Sequence, residues 1–548
     1  TLALAYSRGA LVAFAAGAVV WLWIVPLRLR GAAVLIAGGL GAGALAAWAF
    51  STHALSAEGV PLAERASAGH ELGALIVAML AALALVGVAA GFLSARRPLA
   101  PSARRNAGAA LLAALALALA AFAGALAHSQ RGFAGSISHA VDSLTNPNAK
   151  TPPNTPDRLT AVASVRARYW KEALQVFAAH PALGAGAEGY QTARLRYRKE
   201  TLEVRHAHGF VVQTLADLGI VGLVLALATL LTWMAAAGRA THPLDRAWSG
   251  WRSWRSPRSE PRPGWRRLES PQERRYTPER IGMLTLLALV VVFGVHSLVD
   301  WTWYVPGDAC VALLCAGWLA GRGPLGSTAA LARRASASAT GGWSSSASLA
   351  AWRERLRLAW QPRSPRTWVA AAALALALLA AWSQWQPQRA EEARGQALAL
   401  LRSDPRAAEA AARSAVSRDP LSVEALFALA QVQQSAGRRA LARATLQRAV
   451  KLQPSNPQTW LALGRYDLAG EPAAAVKELE AAIYLNPEAI SPEALARGDR
   501  EAIELHNDYV QALRAAAATP LRSARARRSP AAPAGRRAGL PPPARARR

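Results

Sequence analysis

Cysteine, methionine and acid are all scarce in this chain: two Cys, three Met, and 34 acidic residues against 63 Lys and Arg in 548 residues. Cys310 and Cys315 lie in one apolar stretch on different faces of a helix. That spacing makes neither a disulfide nor a metal site, and cysteine usage is silent on compartment. Charge of either sign is also sparse, at 18%, where a soluble domain carries about 25%. Hydrophobic residues supply 52%. Several stretches run about 20 residues without a charge, enough to cross a bilayer core of roughly 30 Å. A purely soluble enzyme does not fit this pattern. The chain opens at Thr1 in mid-pattern, with no initiator Met and no basic signal-peptide start, and reads as a fragment preceded by earlier spans.

Eight spans are expected, at about 9–27, 31–50, 72–94, 107–127, 214–237, 281–299, 308–321 and 367–384. Their connections alternate in charge. Arg28 and Arg30 follow the first span, and Arg96, Arg97, Arg104 and Arg105 follow the third. Residues 238–280 hold 11 arginines against 5 acids, and 322–366 hold 8 against 1. Segments 51–70 and 299–307 are nearly free of basic residues. By the positive-inside rule the basic connections are cytoplasmic. Residues 128–209, and everything after the last span, then lie outside the cytoplasm. The four cytoplasmic connections carry +19 and the tail 519–548 another 9 arginines, which accounts for +28 of the formal +29. Topology and one tail explain the basicity, so nucleic acid is not required as a partner. The Trp248, Trp251, Trp254 and Trp265 cluster with its arginines reads as a juxtamembrane segment on anionic lipid.

Beyond Pro387, taken as the end of the last span, hydrophobicity changes from continuous to periodic. Pro420, Pro454 and Pro487 recur at the 33–34-residue period of a tetratricopeptide repeat. Leu426, Leu429, Ala430, Ala442, Leu446 and Ala449 occupy the small and large positions of one unit. Trp460, Leu463, Gly464, Ala475, Leu479 and Ala482 form the next, and Ala408, Ala412 and Ala415 a weaker first. Small residues let paired helices approach closely, and stacking buries what one unit cannot. The expected plan is a membrane domain at 1–321 with a large external loop at 128–209, and a basic cytoplasmic linker at 322–366. The last transmembrane helix at 367–384 leads to the repeats at 388–517, with 491–517 a closing helix. The Arg/Ala/Pro-rich tail 518–548 is expected to be disordered.

Four features share the outer membrane level. Arg8, in Ser7-Arg8-Gly9, lies 20 residues before Arg28, or about 30 Å of helix. Arg166, Arg168 and Trp170 open an amphipathic helix that ends at His180-Pro181 and the glycines Gly184 and Gly186. Arg205, His206, Ala207 and His208 precede the fifth span. His296, Asp300 and Trp301 close the sixth. Each alone reads equally as an interfacial residue. Together, arginines at the membrane surface match a lipid-linked phosphate, and a histidine suits proton removal from a hydroxyl at neutral pH.

The run Arg166-x3-Trp170-x2-Ala173-Leu174, then His180-Pro181-x2-Gly184-x-Gly186, then His208, then Leu215 through Gly222, resembles the O-antigen ligase and polymerase superfamily. Ser7-Arg8-Gly9 fits as well. The resemblance covers about 1–320, most specifically 163–225. It departs at Gly209, where many members carry Asn after the histidine. It implies an all-α, polytopic, glycosyltransferase C-like helix bundle, here with an extracytoplasmic repeat domain, in the bacterial cytoplasmic (inner) membrane. Implied too is a metal-independent enzyme without cofactor that takes its glycan from an undecaprenyl-pyrophosphate-linked donor. By matching positions, Arg8 and Arg166 hold the pyrophosphate and His208 activates the acceptor hydroxyl. Arg205 and Asp300 are counted with the substrate-binding residues. The acceptor is a lipid, a glycan or a protein, and the repeats offer a surface for a protein partner. An O-linked protein oligosaccharyltransferase and a non-catalytic membrane scaffold are the alternatives.

Overall fold

The computed structural model describes residues 2–25, 28–96, 100–148, 155–159, 164–200, 202–243, 278–323 and 365–528. Most of the 238–280 and 322–366 connections, the four-tryptophan cluster and residues 529–548 lie outside the described residues. The chain divides into two compact units: Thr1–Arg194 with Glu203–Glu354, and Leu195–Leu202 with Arg355–Arg548. The architecture is all-α, and no strand occurs among the described residues.

Among the described residues of the first unit, five helices are long and apolar enough to cross a membrane: Arg28–Ser51, Leu62–Leu93, Ser102–Ala127, Phe210–Thr241 and Pro278–Ser297. Arg8–Ile24 and Pro306–Gly321 are shorter apolar helices. We label Arg8–Ile24 α1, Arg166–Ala179 α2, Phe210–Thr241 α3 and Pro278–Ser297 α4. Leucines on the outward faces, such as Leu85, Leu112 and Leu117, are exposed. This suits helices whose backbone groups are satisfied internally and whose side chains meet lipid.

Small residues bring α1 against α4. A Cβ on Gly17 would fall 2.0 Å from Val292 Cγ2, and one on Gly9 would touch the His296 ring at 3.5 Å. Trp21 Nε1 donates to Thr285 Oγ1 across the same seam at 3.0 Å. Close helix approach at glycine is the usual packing device where lipid removes the hydrophobic driving force. Here it brings the start of α1 level with the end of α4.

The second unit contains Pro365–Leu400, followed by paired helices Pro405–Arg418, Val423–Ser435, Arg439–Leu452, Pro457–Asp467 and Pro472–Leu485. Asp404, Ser422 and Asn456 cap three of them with side-chain acceptors. The small and large repeat positions are buried: Ala408, Ala412, Ala442, Ala449, Ala475 and Leu479 are at most 0% exposed. A Cβ on Gly464 would meet Leu479 Cγ at 2.9 Å, so the glycine sets the separation of that helix pair.

Two boundaries differ from the sequence reading. The helix does not end at Pro387 but runs through it to Leu400. Packing explains this: Ala390, Ala393 and Ala397 are buried, and tertiary contacts outweigh the one hydrogen bond that proline removes. The closing helix runs Arg500–Arg528, past the expected start of a disordered tail at 518. Ala and Arg are both strong helix formers, and their repetition carries the helix on.

Candidate active site at converging helix ends

Ser7 caps α1, its Oγ accepting from Ala10 N at 3.2 Å. Arg8 opens the first turn, and Gly9 leaves room for His296. Each residue of Ser7-Arg8-Gly9 therefore has its own local task. The charges of Arg166 and Arg158 bear on Arg8, so three cations converge there.

Arg166 begins α2 and donates from Nη2 to Asp300 Oδ2 at 2.7 Å. Its Nε is buried without a hydrogen-bond partner among the described residues. Asp300 Oδ1 lies 3.1 Å from His208 Nδ1 and accepts from Trp301 N at 3.0 Å. His296 Nε2 stands 3.8 Å from Oδ2. Burial pushes the Asp300 carboxyl upward, but the His208 hydrogen bond and the Arg166 charge outweigh it and hold the group at about 2. Asp300 is therefore ionised and must accept. His208 then donates from Nδ1–H, leaving the Nε2 lone pair available.

The backbone around His208 is constrained. His208 has φ +55°, in the left-handed region that few non-glycine residues occupy. Trp170 Nε1 donates to its carbonyl at 3.1 Å, and the Tyr169 ring stacks on the imidazole with centroids 5.6 Å apart. A Cβ on Gly209 would press on Leu298 O at 3.1 Å and Trp170 Nε1 at 3.2 Å. A side chain at 209 would disturb the contact that fixes His208.

The glycine-rich run docks on a break in α3. Gly219 is non-helical there, with φ +63° and ψ −161°. Ala185 N and Gly186 N donate to Ala216 O and Asp217 O, and Ile220 N donates to Pro181 O. At Gly184 a Cβ would lie 2.3 Å from Asp217 C, and at Gly219 one would lie 2.4 Å from Ala182 O. Two backbones touch only because both residues are glycine.

Of the expected residues, Arg8, Arg166, His208 and Asp300 come together. Arg205 does not: it is exposed and makes no ion pair among the described residues. Both Asp300 oxygens are engaged by the protein, Oδ2 by Arg166 and Oδ1 by His208 and Trp301 N. His206 stacks on Tyr304 at 4.0 Å and on Trp301 at 5.3 Å. Burial, and the nearby His208 and Arg205 against Glu188, push its pKa down. Gly209 is the cap residue of α3, and His208 precedes it, as the sequence order places it. A carboxylate, not the helix end, is its immediate electrostatic partner. Among the described residues no group of three or more His, Cys, Asp or Glu side chains is arranged to hold a metal ion.

Sequence reasoning missed the supporting network. Gln213 Oε1 accepts from Ala207 N at 2.6 Å while its Nε2 donates to Asp217 Oδ2 at 2.8 Å. Asp217 Oδ1 accepts from Tyr190 N at 2.8 Å. Arg194 and Glu172 form a fully buried pair at 2.7 Å. The signal available was a charged or amide residue inside an otherwise apolar run, at Gln213 and Asp217.

A multi-pass helical domain thus gathers cations and a carboxylate-bound histidine at one set of helix ends. Residues 73–227 match the family model described as O-antigen ligase, and residues 423–466 match one described as tetratricopeptide repeat. Each match covers part of the chain and shows what that part is similar to: an O-antigen ligase domain within the helical membrane unit and a tetratricopeptide repeat within the second unit. No curated protein matches the chain.

Proposed function

We propose that this protein transfers a glycan from an undecaprenyl-pyrophosphate-linked donor to an acceptor hydroxyl at the outer face of the inner membrane. The observation that carries the reading is the sharing of Asp300 between Arg166 and His208. It couples a cation suited to pyrophosphate with a base suited to a hydroxyl.

His208 Nε2 takes the acceptor proton as the hydroxyl oxygen bonds to the donor's anomeric carbon. The bond from that carbon to the pyrophosphate oxygen breaks, and its electron pair leaves on undecaprenyl pyrophosphate. Negative charge grows on the leaving group, so fixed cations at Arg8 and Arg166 stabilise the transition state more than the ground state. Asp300 holds the imidazole in one tautomer and stabilises the imidazolium as it forms.

The outward placement of 128–209 rests on the charge alternation. Residues 195–202 of that loop form one compact unit with the repeats. Arg198 donates to Asn486 Oδ1 at 3.0 Å, and the Arg196 guanidinium lies 4.4 Å from the Tyr484 ring centre. This contact supports an extracytoplasmic repeat domain. Arg166→Ala in membranes supplied with lipid-linked glycan should abolish transfer at unchanged membrane level. Full transfer by that variant would refute the reading.

A further inference from the structure

A cavity of about 240 Å³ is lined by the first half of α3, the turn at Ala187 and Glu188, and the Trp303–Tyr304 pair. Glu188, Phe210, Gln213, Asp217, Trp303 and Tyr304 line its polar end. Leu218, Gly222 and Ala226 line the end that runs down α3. Its size is below the ~300–1,000 Å³ of pockets for drug-sized ligands, which suits a ring or two rather than a polymer.

Charge distinguishes the cavity from the arginine cluster. Arg8, Arg158 and Arg166 gather at the start of α1, while Glu188 and Asp217 both act on Tyr304 at the cavity. Glu188 is exposed at the rim, in a left-handed conformation with φ +58°. Backbone strain of this kind persists where the surroundings enforce it. Carboxylates repel a phosphate and accept from hydroxyls, so the cavity rejects the donor's charged group by construction. The aromatic surfaces are flat and adjoining: Phe210 meets Trp303 edge-on at 5.4 Å, and Trp303 lies 5.3 Å from Tyr304. Such rings cover the apolar face of a sugar while the polar groups fix its hydroxyls.

The cavity also leads to the base. Tyr304 stacks on His206, His206 on Trp301, and Trp301 meets His208 edge-on at 6.3 Å. Gln213, in the cavity wall, holds the backbone N–H of Ala207 at 2.6 Å, one residue before His208. We propose that this cavity is the acceptor subsite and binds an uncharged sugar ring, with Trp303 and Tyr304 as stacking surfaces and Glu188 as a hydroxyl acceptor. This rests on the transferase reading above, and it gives the acceptor a site whose lining includes none of the three arginines.

The test uses the full chain in lipid nanodiscs with two photoreactive amphiphiles of the same alkyl chain, one ending in glucose and one in phosphate, each with a diazirine near the head. The glucoside should label peptides spanning 210–226 and 303–304, and the phosphate those holding Arg8 and Arg166. Trp303→Ala should lower glucoside labelling at least about fivefold, the effect of losing one aromatic contact, and leave phosphate labelling intact. Trp303→Tyr should retain most of it. Equal labelling of the cavity by both probes, unchanged glucoside labelling in Trp303→Ala, or loss of both labels in both variants would overturn the proposal. Glucoside labelling that persists while the phosphate probe ignores the arginines would instead strike the transferase reading alone.

Discussion

Asp300 and Arg166 are 134 residues apart in the chain and 2.7 Å apart in the structure. The same carboxylate reaches His208 with its other oxygen. One residue at the end of α4 thereby fixes a cation at the start of α2 and an imidazole before α3. Movement of any of the three helix ends would disturb both, so the positions of Arg166 and His208 are linked mechanically.

His208→Ala should reduce transfer by about 10²–10⁴-fold, the range for a lost general base, while donor binding persists. His206→Ala removes a ring stacked on Tyr304 and Trp301 and should be milder. Turnover in isolated membranes, normalised to protein level, distinguishes the two. Equal activity of His208→Ala and wild type would end the assignment.

Asp300→Asn keeps the shape and removes the charge. Turnover should fall by about 10²-fold or more, through a wrongly held imidazole and a displaced Arg166. The carboxyl sits at about 2, below the ~3.9 of an unfolded Asp. Its contribution to stability is therefore full above roughly pH 4 and is lost as pH falls through about 2. An acid limb in the wild-type rate profile between about pH 5 and 7 would belong to another group. Disappearance of that limb in Asp300→Asn would contradict this.

Much of the architecture was legible because bilayer spans and helical repeats both write their geometry into composition. Uncharged runs of about 20 residues and a 33–34-residue period need no tertiary information. Arg8, Arg166 and Asp300 could be grouped because a shared membrane level reduces their placement to one dimension. The Asp300 contact with His208 was not legible, since it depends on how three helix ends converge. Pro387 misled for a similar reason: its local cost was visible, but the packing of Ala393 and Ala397 that outweighs it was not. Gln213 and Asp217 were overlooked because a buried amide linking the Ala207 backbone to the Asp217 carboxylate leaves no period.

Orientation can be tested directly. With exposed Cys310 and its neighbour Cys315 replaced by Ser, Lys150→Cys should react with an impermeant maleimide added outside intact cells. Arg258→Cys should react only after the membrane is opened. The reverse pattern would place His208 in the cytoplasm and defeat the catalytic argument.

Gly219→Ala should be severely destabilising. The residue has φ +63°, and its added Cβ would lie 2.4 Å from Ala182 O. A side chain in this positive-φ region with ψ −161° costs about 1–3 kcal/mol, and the clash opposes the backbone bond from Ile220 N to Pro181 O. A thermal midpoint in detergent lowered by several degrees is expected, with glycan transfer lost before the fold. Gly108→Ala, where a Cβ would meet nothing within 4 Å, should leave the midpoint unchanged; equal midpoints for both variants would show that the backbone docking at Gly219 is dispensable.

The repeats contain a buried acid whose behaviour runs opposite to that of Asp300. Burial, reinforced by the Asp467 charge, pushes Glu478 up to about 7, and its Oε2 is buried without a hydrogen-bond partner. Asp467 itself is satisfied by Arg443 at 2.6 Å. In an unfolded chain a Glu loses its proton near 4.3. Between about pH 4.3 and 7 the folded repeats hold a proton that the unfolded chain has released, so stability falls as pH rises through that window. Glu478→Gln, which stays neutral, should flatten the dependence and stabilise the repeats at pH 7.5 by on the order of 1 kcal/mol, the scale of a buried unsatisfied group. Urea melts of segment 388–528 at pH 5 and pH 7.5 would measure both. If the segment melts without cooperativity, the same comparison on the full chain by proteolysis decides. A wild-type midpoint that rises with pH, or an equal slope in Glu478→Gln, would show that this carboxyl is ionised in the fold and that Arg443, not a retained proton, balances its charge.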